Sequence, residues 1–325
     1  MNDNECIRES IKVLNEFYNG TEKDQLFAQY QLVKYYLVGY GAIPKDPVKA
    51  RRLLRQYIYR TKFEDGNAVM DYVDMLLKNG GDEAEKEAYD IALSLSLLGN
   101  VDFIRKVSVM QREGKGIDPS LDSAIETLTT AISDHSELSP DLAFLLIKRG
   151  QEIDYEKIPQ LVENNEDSLS LYCMAIYYSK GPNKDLDLAI DYMRSSANLG
   201  LGWASNEVVD LLIQRGSADD LEEAFKRASD LFEQKDAAGT RRLSIMYYSG
   251  IGIEPDKEKS IIIMRNAISF GDKVAKEKLI NMLIEENSLD SLKEALRLCE
   301  SINPRKRNAL ENRINQGIQE LRESV

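Results

Sequence analysis

Glycine residues that each follow an amphipathic helical segment recur at nearly constant intervals along this chain of 325 residues. They are Gly39, Gly80, Gly114, Gly150, Gly181, Gly216 and Gly250, and Glu286-Asn287 takes the last place. The period is about 35 residues, which is typical of repeats built from two helices. A repeat of this size cannot bury its apolar side alone, so neighbouring repeats must stack around a shared core.

The fullest copy of this unit is residues 238–272. In its first segment, Leu243, Met246 and Tyr247 share one face of a helix. Gly250 is predicted to end that helix, because glycine reaches positive φ without the penalty that a Cβ incurs. Asp256 is predicted to cap the second helix by accepting hydrogen bonds from its free N–H groups. The unit therefore predicts a helix pair joined by a glycine turn.

Weaker copies extend the pattern over most of the chain. The predicted units are residues 26–61, 66–99, 100–135, 138–165, 168–201, 202–236, 238–272 and 274–303. An amphipathic segment lies on either side, and we predict capping helices at residues 1–20 and 304–325. The sequence thus predicts an all-α array of about eight antiparallel helix-turn-helix repeats over residues 26–303, without an inter-domain linker.

Capping residues keep the same register as the turn glycines. A candidate N-cap stands four residues before a small or apolar anchor on the second helix of most units. The pairs are Asp46/Ala50, Ser120/Ala124, Asp154/Ile158, Asp185/Ala189, Asp220/Ala224, Asp256/Ser260 and Ser291/Ala295. Three units also carry a second glycine two residues after the turn glycine. These pairs are Gly39/Gly41, Gly114/Gly116 and Gly250/Gly252.

Composition and charge exclude several classes of protein. A formal net charge of −13 argues against a general nucleic-acid binder, which needs cationic contacts to phosphates. Apolar runs such as residues 143–147 are far too short to span a bilayer, and no secretion signal is visible at the N-terminus. The three cysteines, Cys6, Cys173 and Cys299, stand far apart and suggest a reducing compartment. We therefore expect a cytoplasmic protein.

No residue set points to catalysis, a metal or a cofactor. The Gly-x-Gly turns follow helices, whereas a dinucleotide-binding glycine loop follows a strand. His135 is the only histidine, which argues against zinc clusters and limits any histidine-dependent nucleophile to one position. We expect His135 in a helix-ending turn, where histidine tolerates the left-handed conformation better than most residues.

Three segments resemble the Sel1-like repeat, a family related to tetratricopeptide repeats whose pattern runs A-x3-L-G-x2-Y-x2-G-x-G…D-x3-A…A-A-x2-G. The first unit matches at Ala28, Leu32, Tyr36, Gly39, Gly41, Asp46 and Ala50. The fifth matches at Met174, Ala175, Tyr178, Gly181, Asp185, Ala189, Ala197 and Gly200. The seventh matches at Leu243, Ser244, Tyr247, Gly250, Gly252, Asp256, Ala267 and Gly271. The resemblance implies a right-handed α-solenoid that serves as an interaction scaffold.

The function expected from this resemblance is that of a non-enzymatic adaptor that holds a protein or peptide. Two alternatives remain open: a scaffold in cell-envelope or polysaccharide assembly, and a repeat-fold hydrolase. A hydrolase would need converging titratable groups, which a single histidine disfavours. The sequence predicts neither the identity of the partner nor the oligomeric state.

In tetratricopeptide-like solenoids the first helix of each pair lines the concave face, and counting back from the turn glycine gives candidate contact residues. They are Tyr30, Lys34, Arg105, Arg112, Tyr172, Arg241 and Tyr248. Over all such positions nine cations stand against seven anions, although the whole chain is acidic; the anions are Asp71, Asp102, Glu113, Asp141, Glu207, Glu277 and Glu285. Arginine and tyrosine are also enriched where interfaces concentrate binding energy. We therefore expect the concave face to bind a peptide that carries carboxylates.

Overall fold

The computed structural model describes residues 21–39 and 44–323, and these residues form α-helices and one short 3₁₀ helix without a strand. The chain divides into two compact units, Met1–Arg149 and Gly150–Val325, and each is described here by itself. The predicted N-terminal capping helix at 1–20 and the predicted turn residue Gly41 lie outside the described residues.

The first unit contains the helices of the first three repeats and the first helix of the fourth. They are α1 (Glu22–Val38), α2 (Pro47–Arg60), α3 (Gly66–Asn79), α4 (Asp82–Ser96), α5 (Val101–Glu113), α6 (Leu121–Ala131) and α7 (Ser139–Arg149), with the 3₁₀ helix Ser136–Leu138 before α7. Each helix packs mainly against the next one along the chain. The largest side chains of the shared core are fully buried, among them Leu54, Ile58, Tyr72 and Phe103.

The second unit continues the pattern. Its helices are α8 (Glu152–Tyr155), α9 (Ile158–Val162), α10 (Ser168–Lys180), α11 (Leu186–Asn198), α12 (Gly202–Arg215), α13 (Ala218–Glu233), α14 (Ala237–Ser249), α15 (Lys257–Ser269), α16 (Ala275–Glu286), α17 (Leu289–Cys299) and α18 (Pro304–Glu323). Helix α18 covers the preceding pair and buries Leu310 and Ile314. This consecutive packing is that of an α-solenoid, so the predicted all-α fold class is confirmed.

Local hydrogen bonds explain where the second helices begin. Asp46, Asp185 and Asp256 each accept at least one hydrogen bond from an N–H in the first turn of the following helix. The N-caps predicted at Asp220 and Ser291 are wrong, because these helices begin three residues earlier. Ser217 and Ser288 cap them instead, at hydrogen-bond distances of 3.2 and 3.1 Å.

The fourth repeat departs most from the prediction. A second helix capped by Asp154 was expected, but the segment forms two short helices, α8 and α9, and Asp154 lies inside the first of them. Pro159 stands in the first turn of α9, where a residue without an N–H loses no helical hydrogen bond. A proline at this position could not continue a helix from α8, because it has no N–H to donate to the preceding turn. The proline therefore breaks this repeat.

The turn glycines adopt two conformations. Gly39, Gly114 and Gly250 have φ of +76°, +71° and +68°, as the turn requires. Gly181 also ends its helix, as predicted, but its φ of −74° is not left-handed. The loop of the fifth repeat, which follows Gly181, contains Pro182 and Asn183, and an extended residue is enough to leave the helix.

The second glycine of the pair lies against the preceding repeat. A Cβ at Gly116 would lie 2.1 Å from the carbonyl oxygen of Glu85 on α4, and one at Gly252 would lie 2.4 Å from that of Leu221 on α13. Real Cβ atoms do not approach this closely. These two glycines thus let a loop pack directly on the backbone of the previous second helix.

Candidate interaction surface

The first helices of successive repeats carry most of the predicted contact residues. We define the first-helix surface as the exposed side of α1, α3, α5 and α7 in the first compact unit, and of α10, α12, α14 and α16 in the second. Within each unit, its side chains reach from one first helix to the next, about one repeat along the chain.

Tyr30 and Lys34 form the start of this surface in the first unit. The Tyr30 hydroxyl donates a hydrogen bond of 2.8 Å to Asp71 on α3, and its ring stacks on Tyr57 with centroids 5.2 Å apart. The Lys34 ammonium lies 4.7 Å from the centroid of the Tyr30 ring. Burial, together with the Asp71 carboxylate, raises the pKa of Tyr30 well above its usual value, so the hydroxyl remains a donor.

Arg105 and Arg112 extend the surface on α5. The Arg105 Nε lies 2.9 Å from Asp141 on α7, and its guanidinium also reaches Asp102 at 3.5 Å. Arg112 pairs with Glu113 at 2.7 Å and lies 5.9 Å from the ring centroid of Phe144. The guanidinium of each arginine is therefore already paired with a carboxylate of this chain before a partner binds.

The second unit shows the same arrangement with deeper burial. Arg241 and Asp272 form an ion pair of 2.8 Å, with side chains only 18% and 5% exposed. Arg242 makes a two-pronged contact with Asp210 on α12, with distances of 2.9 and 2.6 Å. Arg241 thus joins α14 to the start of the next repeat, and a partner could reach little of it.

Tyr248 mirrors Tyr30. Its hydroxyl donates a hydrogen bond to Glu285 on α16, and the Lys257 ammonium lies 5.3 Å from its ring centroid. Burial, reinforced by the hydrogen bond to Glu285, raises the pKa of Tyr248 to about 12. The ring remains partly exposed on the first-helix surface.

The expectation that Tyr172 faces outward is wrong. Its side chain is buried, and its ring packs edge-to-face against Trp203 on α12 at a centroid distance of 6.2 Å. Burial raises the pKa of Tyr172 to about 12. Trp203 covers the tyrosine while remaining 50% exposed. Our sequence reasoning missed Trp203, although the only tryptophan of the chain was a visible signal.

The cationic surplus predicted for this surface is largely neutralised within the chain. Carboxylates at the predicted groove phases accept contacts from the predicted cations and tyrosines, as Asp71, Asp102, Glu113, Asp141 and Glu285 show. The surface is therefore an ordered network of paired polar groups and partly exposed aromatic rings.

Ion pairs also connect successive repeats on the side of the second helices. Arg215 contacts Asp220 and Asp187, each at 2.5 Å, and Arg149 contacts Asp122 at 3.2 Å. Hydrogen bonds from Arg215 and Ser217 hold the pKa of Asp220 well below its usual value. These arginines end α12 and α7, and each reaches back to the second helix of the preceding repeat.

The remaining chemistry-bearing residues do not converge. Over residues 21–39 and 44–323, no cluster of three His, Cys, Asp or Glu side chains is arranged to hold a metal ion. His135 lies in the predicted turn, 4.0 Å from Glu137, but its φ of −135° contradicts the left-handed conformation expected. Cys173 and Cys299 are buried, and burial raises the pKa of the Cys299 thiol. No helix in the described part of the chain is long and apolar enough to cross a membrane.

Comparison with known protein families agrees with the register of three repeats. The family model of the Sel1 repeat matches residues 26–56, 167–201 and 237–269, which lie in the first, fifth and seventh repeats. A search among curated proteins finds no match. Similar solved structures include a protective antigen present in uropathogenic Escherichia coli strains and displaying an SLR fold. It is 14% identical, with coverage of 97% of this chain and 94% of that chain and a TM-score of 0.36. A Sel1 repeat protein from Oxalobacter formigenes is 18% identical, with coverage of 84% and 76% and a TM-score of 0.45.

Proposed function

We propose that this Sel1-repeat protein is a non-enzymatic scaffold that holds a protein or peptide partner along its first-helix surface. Sel1 repeats generally mediate protein interactions, and three of them are recognisable in the sequence. The observation that carries the proposal is the network of paired tyrosines and arginines along this surface. Buried thiols at Cys173 and Cys299 support a reducing, cytoplasmic setting for this scaffold.

The network supports binding because it orders side chains before a partner arrives. Tyr30 and Tyr248 are each fixed by a carboxylate from the next first helix, and each keeps part of its ring exposed. A fixed side chain loses little conformational entropy on binding, and tyrosine offers a large contact area with a polar end. Both features are typical of residues that concentrate binding energy at interfaces.

A partner carrying carboxylates next to apolar residues suits the cations of this surface. The Lys34 side chain is exposed beside the Tyr30 ring, and Arg105 and Arg112 keep about 39% and 28% of their side chains exposed. A guanidinium can share its five N–H donors between a resident carboxylate and an incoming one. Arg241 has little exposed surface, and its part in the proposal is to position α14.

Affinity capture followed by matched variants tests the proposal. A partner recovered with the wild-type chain is expected to bind more weakly to Lys34→Glu and to Tyr30→Ala. Lys86→Glu on the second-helix side makes the same charge change and is expected to leave binding intact. An unchanged affinity in the Lys34 and Tyr30 variants, with wild-type helicity by circular dichroism, would show that the first-helix surface is not the site.

A further inference from the structure

An open groove lies between the first two repeats, on the side of the second helices. It has a volume of about 840 Å³. Helix α2 forms one wall through Val48, Arg51 and Arg52, and the short turn from α3 to α4 forms the other. Volumes of this size are typical of ligand sites. We call this opening the α2–α4 groove.

Four other repeats fill the corresponding position in one of two ways. In the third and seventh repeats a long turn brings a glycine onto the backbone of the preceding second helix, as Gly116 and Gly252 do. The fourth and sixth repeats have short turns, and there an arginine at the end of the first helix reaches an aspartate on the preceding second helix. These bridges are Arg149–Asp122 and Arg215–Asp187.

The second repeat has neither device. Its turn consists of Gly80 and Gly81 alone, so no loop extends onto α2. The residue before the turn glycine is Asn79, where the fourth and sixth repeats have arginine. Val48 lies two residues before Ala50, the small anchor of α2, and the residue at the same position of α6 and of α11 is an aspartate. Both members of the bridge are therefore replaced, and Val48 is left 70% exposed.

The cations on the α2 wall are only partly neutralised. Arg55 lies 3.4 Å from Glu87, whose carboxylate also accepts a hydrogen bond from the Tyr72 hydroxyl at 3.0 Å. Arg51 and Arg52 form no ion pair with any residue in the ranges that the structure describes. Two guanidinium groups with their donors available therefore line the groove beside an exposed valine.

The opposite wall carries Asp82 and Glu83, the other acids that line the groove. Both belong to the first turn of α4, where the positive end of the helix dipole offsets their charge. Gly81, at the N-cap position of α4, supplies no side-chain cap to the free N–H groups of this turn. An anionic group entering the groove would meet Arg51 and Arg52 on one side and these N–H groups on the other.

We infer that the α2–α4 groove is a docking site for an acidic peptide segment of another protein. On α2, the segment would occupy the position that the Gly116 loop occupies on α4 and the Gly252 loop occupies on α13. Its carboxylates would pair with Arg51 and Arg52, and a small apolar residue would cover Val48. The site is separate from the first-helix surface, so it stands or falls independently of the proposed function.

A fluorescein-labelled peptide of repeated Gly-Glu-Leu units, titrated by anisotropy against the full chain, tests this inference. The double variant Arg51→Ser/Arg52→Ser is expected to weaken binding by about tenfold or more, since it removes both guanidinium groups that would pair with the carboxylates of the peptide. A matched control, Lys86→Ser, removes an exposed cation of α4 outside the groove and is expected to bind like the wild type.

A second variant closes the groove without removing either arginine. Val48→Asp with Asn79→Arg recreates the bridge of the fourth and sixth repeats, leaves the net charge unchanged and is expected to abolish specific binding while preserving thermal stability. Binding that survives both double variants overturns the inference. A Gly-Lys-Leu peptide that binds as tightly as the glutamate peptide, with the same sensitivity to the variants, overturns the assignment of an acidic occupant.

Discussion

The close approach of Gly252 to the preceding repeat can be separated from the ordinary strain of a glycine turn. Gly252 and Gly216 have nearly the same φ, +70° and +75°, and both lie in the second compact unit. They differ in the space around them. A Cβ at Gly252 would lie 2.4 Å from the Leu221 carbonyl oxygen, whereas one at Gly216 would meet nothing closer than 3.5 Å.

The expected costs follow from this difference. In both Gly→Ala variants the left-handed backbone costs about 1–2 kcal/mol. Gly252→Ala must also move its loop away from α13, and overpacking of this kind costs about 1–3 kcal/mol more. The free energy of unfolding should therefore fall further for Gly252→Ala than for Gly216→Ala by about 1–3 kcal/mol.

Thermal and urea unfolding of the full chain, followed by circular dichroism, measure this difference. For a unit of this size, each kcal/mol corresponds to about 2–4 °C in Tm. Gly200→Ala adds a third reference, since its φ is +90° and no atom lies within 4 Å of the added Cβ. Equal losses of stability in the Gly252 and Gly216 variants would refute the close packing of the loop on α13.

Two further predictions concern polar contacts between α14 and the next repeat. Arg241→Ala should lower the free energy of unfolding by about 3 kcal/mol, because it leaves the buried Asp272 carboxylate without its cation. Arg265→Ala, at a more exposed ion pair, should lower it by less than about 1 kcal/mol. Comparable urea midpoints for the two variants would contradict this prediction. The pKa of Tyr248 is raised to about 12, so its contribution to stability is present below pH 10 and is lost as pH rises towards 12. Glu285→Gln should lower that pKa in an ultraviolet titration of tyrosine, and an unshifted titration would show that the hydrogen bond does not contribute.

The helix pairs could be predicted because their signals are local. A turn glycine, a capping side chain and an apolar face all lie within one repeat, and each depends on short-range backbone chemistry. The exceptions were also local. Pro159 was visible in the sequence, but the register of the other repeats outweighed it, and the predicted helix proved to be broken.

Burial and charge pairing on the first-helix surface were harder to predict, because they depend on contacts between residues one repeat apart. Tyr172 is buried by Trp203 on the next first helix, and Arg105 is neutralised by Asp141 on the next one. A count of charges over a surface treats each group as independent, whereas opposite charges that face each other leave little net field. The repeat period itself contained this information, since it determines which side chains become neighbours.

The same reasoning indicates where a solenoid of this kind acquires binding sites. Features shared by all repeats are used in stacking, so side chains at those positions already have partners within the chain. A site arises where one repeat departs from the pattern and its neighbour still presents the complementary surface. The replacement of an arginine by Asn79 and of an aspartate by Val48 is such a departure, because either change alone would leave an unpaired charge and both together leave an opening. On the side of the second helices, binding specificity is therefore expected at an irregular repeat such as the second, while the loops and ion pairs of the regular repeats maintain the stack.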